Sequence, residues 1–376
     1  MGARLYFGVL VAAVMAVPAS AVDMGFYDSP FSGGPGMSPH GGKAVAAESV
    51  DGTLRLRASL GATYLEGNEF VYAGDYRVSK LIWQTTAPIL RGSVSADLGH
   101  GISISAEGSA AIRGNSHMVD YDWLAGDDTF ENWTHRSEHP DTHLAHFWTG
   151  SASIGYDLAN VQDAVIRMHG GFQYTDVKWD AFGGSYVYST SGTLRDDIGN
   201  FADGEPGISY RQQMPEVFVG VDGEQYYGKL RVGGLMRAGL VVGAVATDDH
   251  WMRDLRFTDT IYVQPSVELG LDAGYALGPM AELTLAGRFK HMFEQRGDTA
   301  IYNTVAGTTA HSSNGAAASF TQLDISAGLR ARFRLPDSID VSQPSEDLLL
   351  TANLRRRRIQ FEIARVCAGA ENIAID

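Results

Sequence analysis

The sequence is poor in cysteine, in basic residues and in long apolar runs. Its 376 residues include one cysteine, Cys367, so an internal disulfide framework is excluded. The 29 Lys and Arg residues stand against 44 Asp and Glu, for a formal net charge of −15. Nucleic-acid binding calls for a basic patch, so we expect no nucleic-acid partner, whereas an acidic surface attracts basic peptides. Beyond the N-terminus, no segment approaches the roughly 18 consecutive apolar residues of a membrane-spanning helix.

The first 21 residues have the layout of a secretory signal peptide. Arg4 precedes an apolar run, Leu5–Val17, which is too short to span a bilayer, and the segment ends on Ala19-Ser20-Ala21, an A-x-A cleavage site. We therefore expect an exported protein. Residues 22–52 are rich in Gly, Pro and Ser and predict a flexible lead-in.

From residue 53 to residue 333 the sequence alternates with a period of two. Ile102 and Ile104 fall on one side of an extended chain, while Ser103 and Ser105 fall on the other. The same pattern recurs in 266–277, 282–293 and 320–333. These segments are longer than the five or six residues usual in globular strands and match the length that crosses an outer membrane.

The connections also alternate in length. Short connections are predicted at 98–101, 221–225 and 277–280, and they alternate along the chain with long polar connections near 114–140, 182–207, 247–258 and 296–317. This pattern predicts an all-β fold, a ten-stranded antiparallel transmembrane β-barrel of the outer membrane. A soluble sandwich would have shorter strands at regular spacing. Charged residues expected to point inward, such as Glu282, Arg288 and Asp324, predict a plugged barrel rather than a pore.

The tail, residues 334–376, has no period-two face. It carries four consecutive arginines, Arg355–Arg358. A periplasmic appendage, a short helix and a readthrough product all remain open, and a solvated charge run explains the arginines without a partner.

Two pairs of residues carry candidate chemistry. Asp120 and Asp122 point to one face of an extended chain, and neighbouring carboxylates share a proton because both cannot ionise cheaply. Asp248 and His250 also share a face, and a carboxylate beside imidazole fixes its tautomer, as a general base requires. Facing one another, the pairs could activate a water molecule. By spacing alone, ordinary loop aspartates remain an open alternative.

Several segments together resemble the omptins, outer-membrane proteases of Gram-negative bacteria. They are "MVDYDW" (118–123), "WTHRSEHPDTHL" (133–144), "GGSYVYS" (183–189), "RDDIGNF" (195–201) and "DDHWMRDLRF" (248–257). The resemblance implies an endopeptidase at the extracellular end of the barrel, with no metal and no covalent intermediate. It matches Asp248 and His250 to the Asp-His dyad of the family, and Asp120 and Asp122 to its Asp-Asp couple.

The resemblance also bears on specificity. Omptins typically cut next to basic residues, so we expect cationic peptide or protein substrates. Glu69 matches one of the acidic side chains in the groove, but Ala246 stands where the second is expected. Tyr188 matches an aromatic residue that lines the groove. His135 replaces a common aspartate, which is expected to alter the next subsite.

Lipopolysaccharide is the partner that the resemblance implies, since the family needs it for activity. Two arginines that hold its phosphates correspond to Asp176 and Gln213 here. Arg211 and Lys178 lie nearby but are not expected to substitute, because a one-residue shift reverses the face of a strand. We expect a weakened or rearranged dependence on lipopolysaccharide, no other cofactor, and a monomer.

Two other readings stay open beside this one. A non-enzymatic barrel acting as an adhesin is the alternative function, although adhesion has no need of four acid-base residues. His139, His143 and His146 suggest a metal site, but their spacing fits no ligand signature and Pro140 argues against a helix there. We assign these histidines structural or loop roles.

Overall fold

The computed structural model describes residues 52–334 except 112, 162 and 191. The predicted signal peptide, all but the last residue of the lead-in and, beyond Arg334, the C-terminal tail lie outside the described residues. Across the described part, no helix has the length and apolar character needed to cross a bilayer. The described residues form two 3₁₀ helices, Phe130–Asn132 and Trp251–Arg253, and thirteen strands: β1 Thr53–Ala73, β2 Tyr76–Gly99, β3 Ile102–Ala111, β4 Asn115–Asp122, β5 His135–Val161, β6 Ala164–Phe182, β7 Ser185–Thr190, β8 Thr193–Asn200, β9 Pro206–Tyr227, β10 Leu230–His250, β11 Leu255–Ala276, β12 Ala281–Asn303 and β13 Thr308–Arg334.

The strands form one closed antiparallel sheet. Strands β9 to β13 pair in chain order, β13 pairs with β1 and β1 with β2. Strands β3 and β4 both lie between β2 and β5, and β5 leads through β6 back to β9. The sheet therefore closes into a barrel in which β3, ending at Ala111, and β4, beginning at Asn115, together occupy one strand position, while β7 and β8 form a hairpin beyond β5. The expected count of ten treats β3 and β4 as one strand and omits this hairpin.

The period-two pattern separates the two faces of the barrel wall. On β3, Ile102 and Ile104 are exposed on the outside, while Ser103 and Ser109 are buried inside. Exposed leucines continue this outer apolar band on neighbouring strands, for example Leu56 and Leu60 on β1. Glu282 and Asp324 are buried in the lumen, as predicted.

An aromatic cluster fills the lumen below the candidate site. The ring centroid of Trp83 lies 6.1 Å from that of Trp179 and 5.7 Å from that of Tyr210. All three side chains are fully buried. Gly67 permits this packing, because a Cβ there would lie 2.9 Å from a ring carbon of Trp179.

One predicted turn is wrong. Residues 221–225 lie within β9, and the reversal comes after Tyr227. Asp222 pairs with Leu235 of β10 and with Arg167 of β6 in the sheet, and its carboxylate lies 2.8 Å from Nδ1 of His169 in the lumen. The long polar connections are largely strand extensions, with β5, β12 and β13 running through much of them.

Candidate active site

The candidate site lies at one end of the barrel, beyond the outer apolar band. On β1 the last exposed large apolar side chain is Leu60, and Glu69 lies further along the strand. On β10 the exposed apolar residues end at Val242, and Asp248 and His250 follow at the end of the strand. The polar groups of the site are thus outside the apolar band.

The aspartate couple sits at the end of β4, held against β2. Asp120 is buried, and its Oδ1 accepts a hydrogen bond of 3.1 Å from the hydroxyl of Ser79. Burial and then the neighbouring charge of Asp122 raise the pKa of Asp120 to about 8. Burial also raises the pKa of Asp122. The couple therefore holds a proton at neutral pH.

The Asp-His pair occupies the last residues of β10. The Nε2 atom of His250 lies 2.6 Å from Oδ2 of Asp248, which is 1% exposed. Burial opposes the charged form of His250, but Asp248 outweighs it through attraction and hydrogen bonding, and the pKa of His250 is raised. The ring of Phe257 packs edge-on at 5.2 Å and fixes the plane of the imidazole.

The two pairs act on each other through space. Burial, the largest effect, raises the pKa of Asp120 and Asp122, whereas the imidazolium of His250 lowers both. Two strands remote in sequence, β4 and β10, thus bring the four predicted residues into one electrostatic unit.

Glu69 and Tyr188 both feel the charges of this unit. Glu69 is 2% exposed, and burial followed by the charges of Asp248 and Asp259 holds its pKa well above the usual range. The ring of Tyr188 lies 5.0 Å from that of His135. Burial and then the charge of Asp120 raise the pKa of Tyr188 to about 12. Glu69 therefore borders the Asp-His pair, and Tyr188 borders the aspartate couple.

Three residues of the site carry no local sequence signal. Ser79 bonds Asp120 from another strand, and Arg253, in the 3₁₀ helix after β10, lowers the pKa of Asp120 and Asp122 against the larger effect of burial. Asp259 is buried on β11, opposite Ala246 of β10. From the sequence, Asp259 could have been identified only by counting residue pairs outward from the turn between β10 and β11.

The outer wall carries a polar cluster at the positions compared with the family arginines. Asp176 accepts hydrogen bonds from Nη2 of Arg211 at 2.6 Å and lies 2.8 Å from Nε2 of His146. Lys178 pairs with Asp180 at 3.2 Å. The expectation that Arg211 and Lys178 point to the opposite face is wrong. Arg211 lies two residues from Gln213 and Lys178 two residues from Asp176, and side chains two residues apart on a strand point to the same face.

The three histidines of the sequence do not converge. His139 is buried and stacks on Phe201, His143 is exposed beside Asp141, and His146 joins the outer cluster. Within the described residues, no group of three or more His, Cys, Asp or Glu is arranged to hold a metal ion.

Comparisons with known proteins identify the family of the chain. The model of the omptin family matches residues 50–333. Protease 7 of Escherichia coli O157:H7 is 31% identical over 283 residues, covering 73% of this chain and 89% of that protein. The plasminogen activator of Yersinia pestis is 27% identical over 286 residues, covering 75% and 90%.

A solved structure gives the same fold. The crystal structure of the outer membrane protease OmpT from Escherichia coli superposes with a TM-score of 0.72 at 27% identity, covering 77% of this chain and 99% of that one. The chain therefore belongs to the omptin family and is a peptidase of the Gram-negative outer membrane, built as an antiparallel β-barrel.

Proposed function

We propose that this peptidase is an endopeptidase that cleaves next to basic residues by direct attack of water, with His250 as general base. The observation that carries the proposal is the 2.6 Å contact between His250 and Asp248, in one electrostatic unit with two aspartates whose pKa is raised by burial. A base and a proton donor within one unit are what hydrolysis of an amide requires.

The chemistry follows from the proton positions. Asp248 engages Nε2 of His250, which leaves Nδ1 to take a proton from water as the water oxygen attacks the carbonyl carbon. The tetrahedral intermediate carries a negative oxygen, and the proton held by Asp120 and Asp122 forms a hydrogen bond to it. The imidazolium then donates its proton to the leaving nitrogen as the C–N bond breaks. Asp248 stabilises the imidazolium throughout and raises its pKa.

Selection of basic substrates is assigned to Glu69. Its carboxylate is buried beside the Asp-His pair, so the charge can reach a substrate side chain next to the scissile bond. The overall charge of −15 adds a long-range attraction for cationic peptides.

We assign the binding of lipopolysaccharide to the outer wall of the barrel, where Arg211 and Lys178 present cationic groups to its phosphates. Each is already paired with a carboxylate, Asp176 and Asp180, so the wall binds phosphate less strongly than free arginines would. Activity of detergent-refolded protein is therefore expected to rise only several-fold on adding lipopolysaccharide. Strict dependence, with no cleavage in its absence, would contradict this part of the proposal.

The test is cleavage of a fluorogenic peptide library by refolded protein beside two variants. His250→Ala is expected to lose cleavage next to Arg and Lys, because the base is gone. His143→Ala is the matched control, since this histidine is exposed on the barrel away from the pair. Undiminished hydrolysis by a folded His250→Ala variant would overturn the proposal. Activity in neither the parent nor the control would favour the adhesin.

A further inference from the structure

Buried carboxylates in the lumen of this barrel have cationic partners. Isolated buried charges are costly, and removing one partner of a buried pair destabilises a protein strongly. The pairs cross from strand to strand inside the apolar band: Glu107 with Arg91 and Arg288, Glu268 with Arg288 and Arg237, Glu224 with Arg330, Glu282 with Arg231, and Glu216 with Lys290.

The carboxylates beside the Asp-His pair break this pattern. Glu69, Asp248 and Asp259, which we call the acidic pocket, are 2%, 1% and 3% exposed. Asp248 has His250, but within the described residues no Lys, Arg or His forms an ion pair with Glu69 or Asp259. Oε2 of Glu69 and Oδ1 of Asp259 are buried without a hydrogen-bond partner. Two buried carboxyl groups thus have no cationic partner among the residues that the structure describes.

The position of Asp259 explains how the pocket tolerates Ala246. Residue 246 lies two positions before Asp248 and therefore points to the same face of β10. Asp259 is its direct partner on β11. Directly opposed side chains have Cβ atoms about 5 Å apart, and the small side chain of alanine leaves the space between them open. A carboxylate at 259 can therefore serve the same pocket as one at 246 from the adjacent strand.

The mutual electrostatics agree with one shared space. Burial and then the charges of Asp248 and Asp259 raise the pKa of Glu69. Burial, opposed by the nearby hydroxyl of Thr299 and reinforced by the charge of Asp248, raises the pKa of Asp259 to about 7. A cation entering the pocket would favour ionisation of both groups.

We propose that Asp259 is a specificity-determining residue that, with Glu69, binds the basic side chain of the substrate next to the scissile bond. This assignment rests on the proposed function, because it names a second carboxylate for the same basic side chain. The charge absent at residue 246 is supplied across the β10–β11 pair. Asp259 contacts the substrate side chain and takes no part in proton transfer.

The experiment uses two peptides that differ in one residue. One has arginine before the scissile bond and the other has citrulline, which keeps the shape and loses the charge. The ratio of kcat/KM for the two peptides isolates recognition of charge from the chemistry that both share. Barrel formation of each variant is checked by the mobility of unheated samples on denaturing gels.

Asp259→Asn is expected to lower the arginine-to-citrulline ratio about 10- to 100-fold, the range for losing a hydrogen bond to a charged group. The loss of kcat/KM is expected to be larger for the arginine peptide than for the citrulline peptide. Because asparagine removes a buried charge that has no partner, it does not endanger the barrel. Asp249→Asn is the matched control, since Asp249 faces outward on the same hairpin and pairs with Arg256.

Two further variants keep the proposal open to contradiction. Asp259→Glu retains the charge and is expected to retain preference for arginine. Adding Ala246→Asp to Asp259→Asn returns a carboxylate to the opposite strand and is expected to restore at least part of the ratio. An unchanged ratio in Asp259→Asn, equal losses for both peptides, or no recovery in the double variant would each overturn the role of Asp259.

Failure of the proposed function would look different. A folded parent protein that cleaves neither peptide would contradict the endopeptidase itself. A parent that prefers arginine, with a variant Asp259→Asn that prefers it equally, would contradict only the inference about Asp259.

Discussion

The Nε2 atom of His250 and Oδ2 of Asp248 lie 2.6 Å apart at the end of one strand. Both side chains are buried, so solvent does not screen their attraction. The carboxylate thereby does two things at once: it fixes the imidazole, and it raises the pKa that burial alone would lower.

The first prediction concerns the variant Asp248→Asn. Without the carboxylate, burial prevails and the pKa of His250 falls, so the acid limb of the kcat/KM profile is expected to move to lower pH. The maximal rate should drop at least about 100-fold, because the imidazolium loses its stabilising charge. Asp249→Asn is again the control. An acid limb that stays in place would show that another group sets it.

The second prediction concerns the whole pH profile. His250 acts as a base only when neutral, so the rate rises above the ordinary histidine value of 6.5. Asp120 has a pKa of about 8, and loss of the shared proton lowers the rate above that pH. A bell-shaped profile is therefore expected. The profile is measured with the citrulline peptide, because binding of this uncharged side chain does not depend on the ionisation of Glu69 and Asp259.

The third prediction tests the alkaline limb through Ser79. Its hydroxyl donates to Oδ1 of Asp120 and lowers the pKa of that carboxyl against the larger effects of burial and Asp122. Ser79→Ala is expected to raise this pKa, and the alkaline limb should move to higher pH. Ser116→Ala is the control, because this hydroxyl bonds Thr85 instead. A shift to lower pH in Ser79→Ala would rule out the couple as the source of the limb.

The site residues that could be predicted from the sequence form pairs, and the two members of each pair lie on the same strand. Asp120 with Asp122, and Asp248 with His250, stand two apart, and an extended chain places such pairs on one face by geometry alone. The same parity argument was misapplied to Arg211, which lies two residues from Gln213 and so shares its outer face. It contacts Asp176, as its position requires.

The residues that sequence could not supply depend on register between strands. Ser79 meets Asp120 across β2 and β4, which pair with a separation that no local pattern encodes. Asp259 becomes part of the site only because β10 and β11 pair as they do. The predicted turn at 221–225 failed for a related reason, because pairing with β6 and β10 continues through this segment.

The fourth prediction concerns the stability of the lumen. Glu216 binds Lys290 and accepts a hydrogen bond of 2.6 Å from the hydroxyl of Ser266, with the charged pair fully enclosed. Glu216→Gln alone is expected to cost about 3 kcal/mol of unfolding free energy, since it leaves the buried ammonium with only the more distant carboxylate of Glu268, at 4.0 Å. Adding Lys290→Met should restore part of that loss. Urea unfolding in lipid vesicles measures both, and a purely additive loss would contradict a coupled pair.

The last prediction is that the barrel conducts no ions. Arg288 on β12 bonds Glu107 on β3, and Arg167 on β6 reaches Asp97 on β2, so side chains join strands that are not neighbours in the ring. Above them the stack of Trp83, Trp179 and Tyr210 closes the lumen. Refolded protein in planar bilayers should therefore show no current steps above those of protein-free detergent. Regular steps that persist in His250→Ala would mean that the lumen opens, since that substitution leaves the ion pairs among Arg288, Glu107, Arg167 and Asp97 intact.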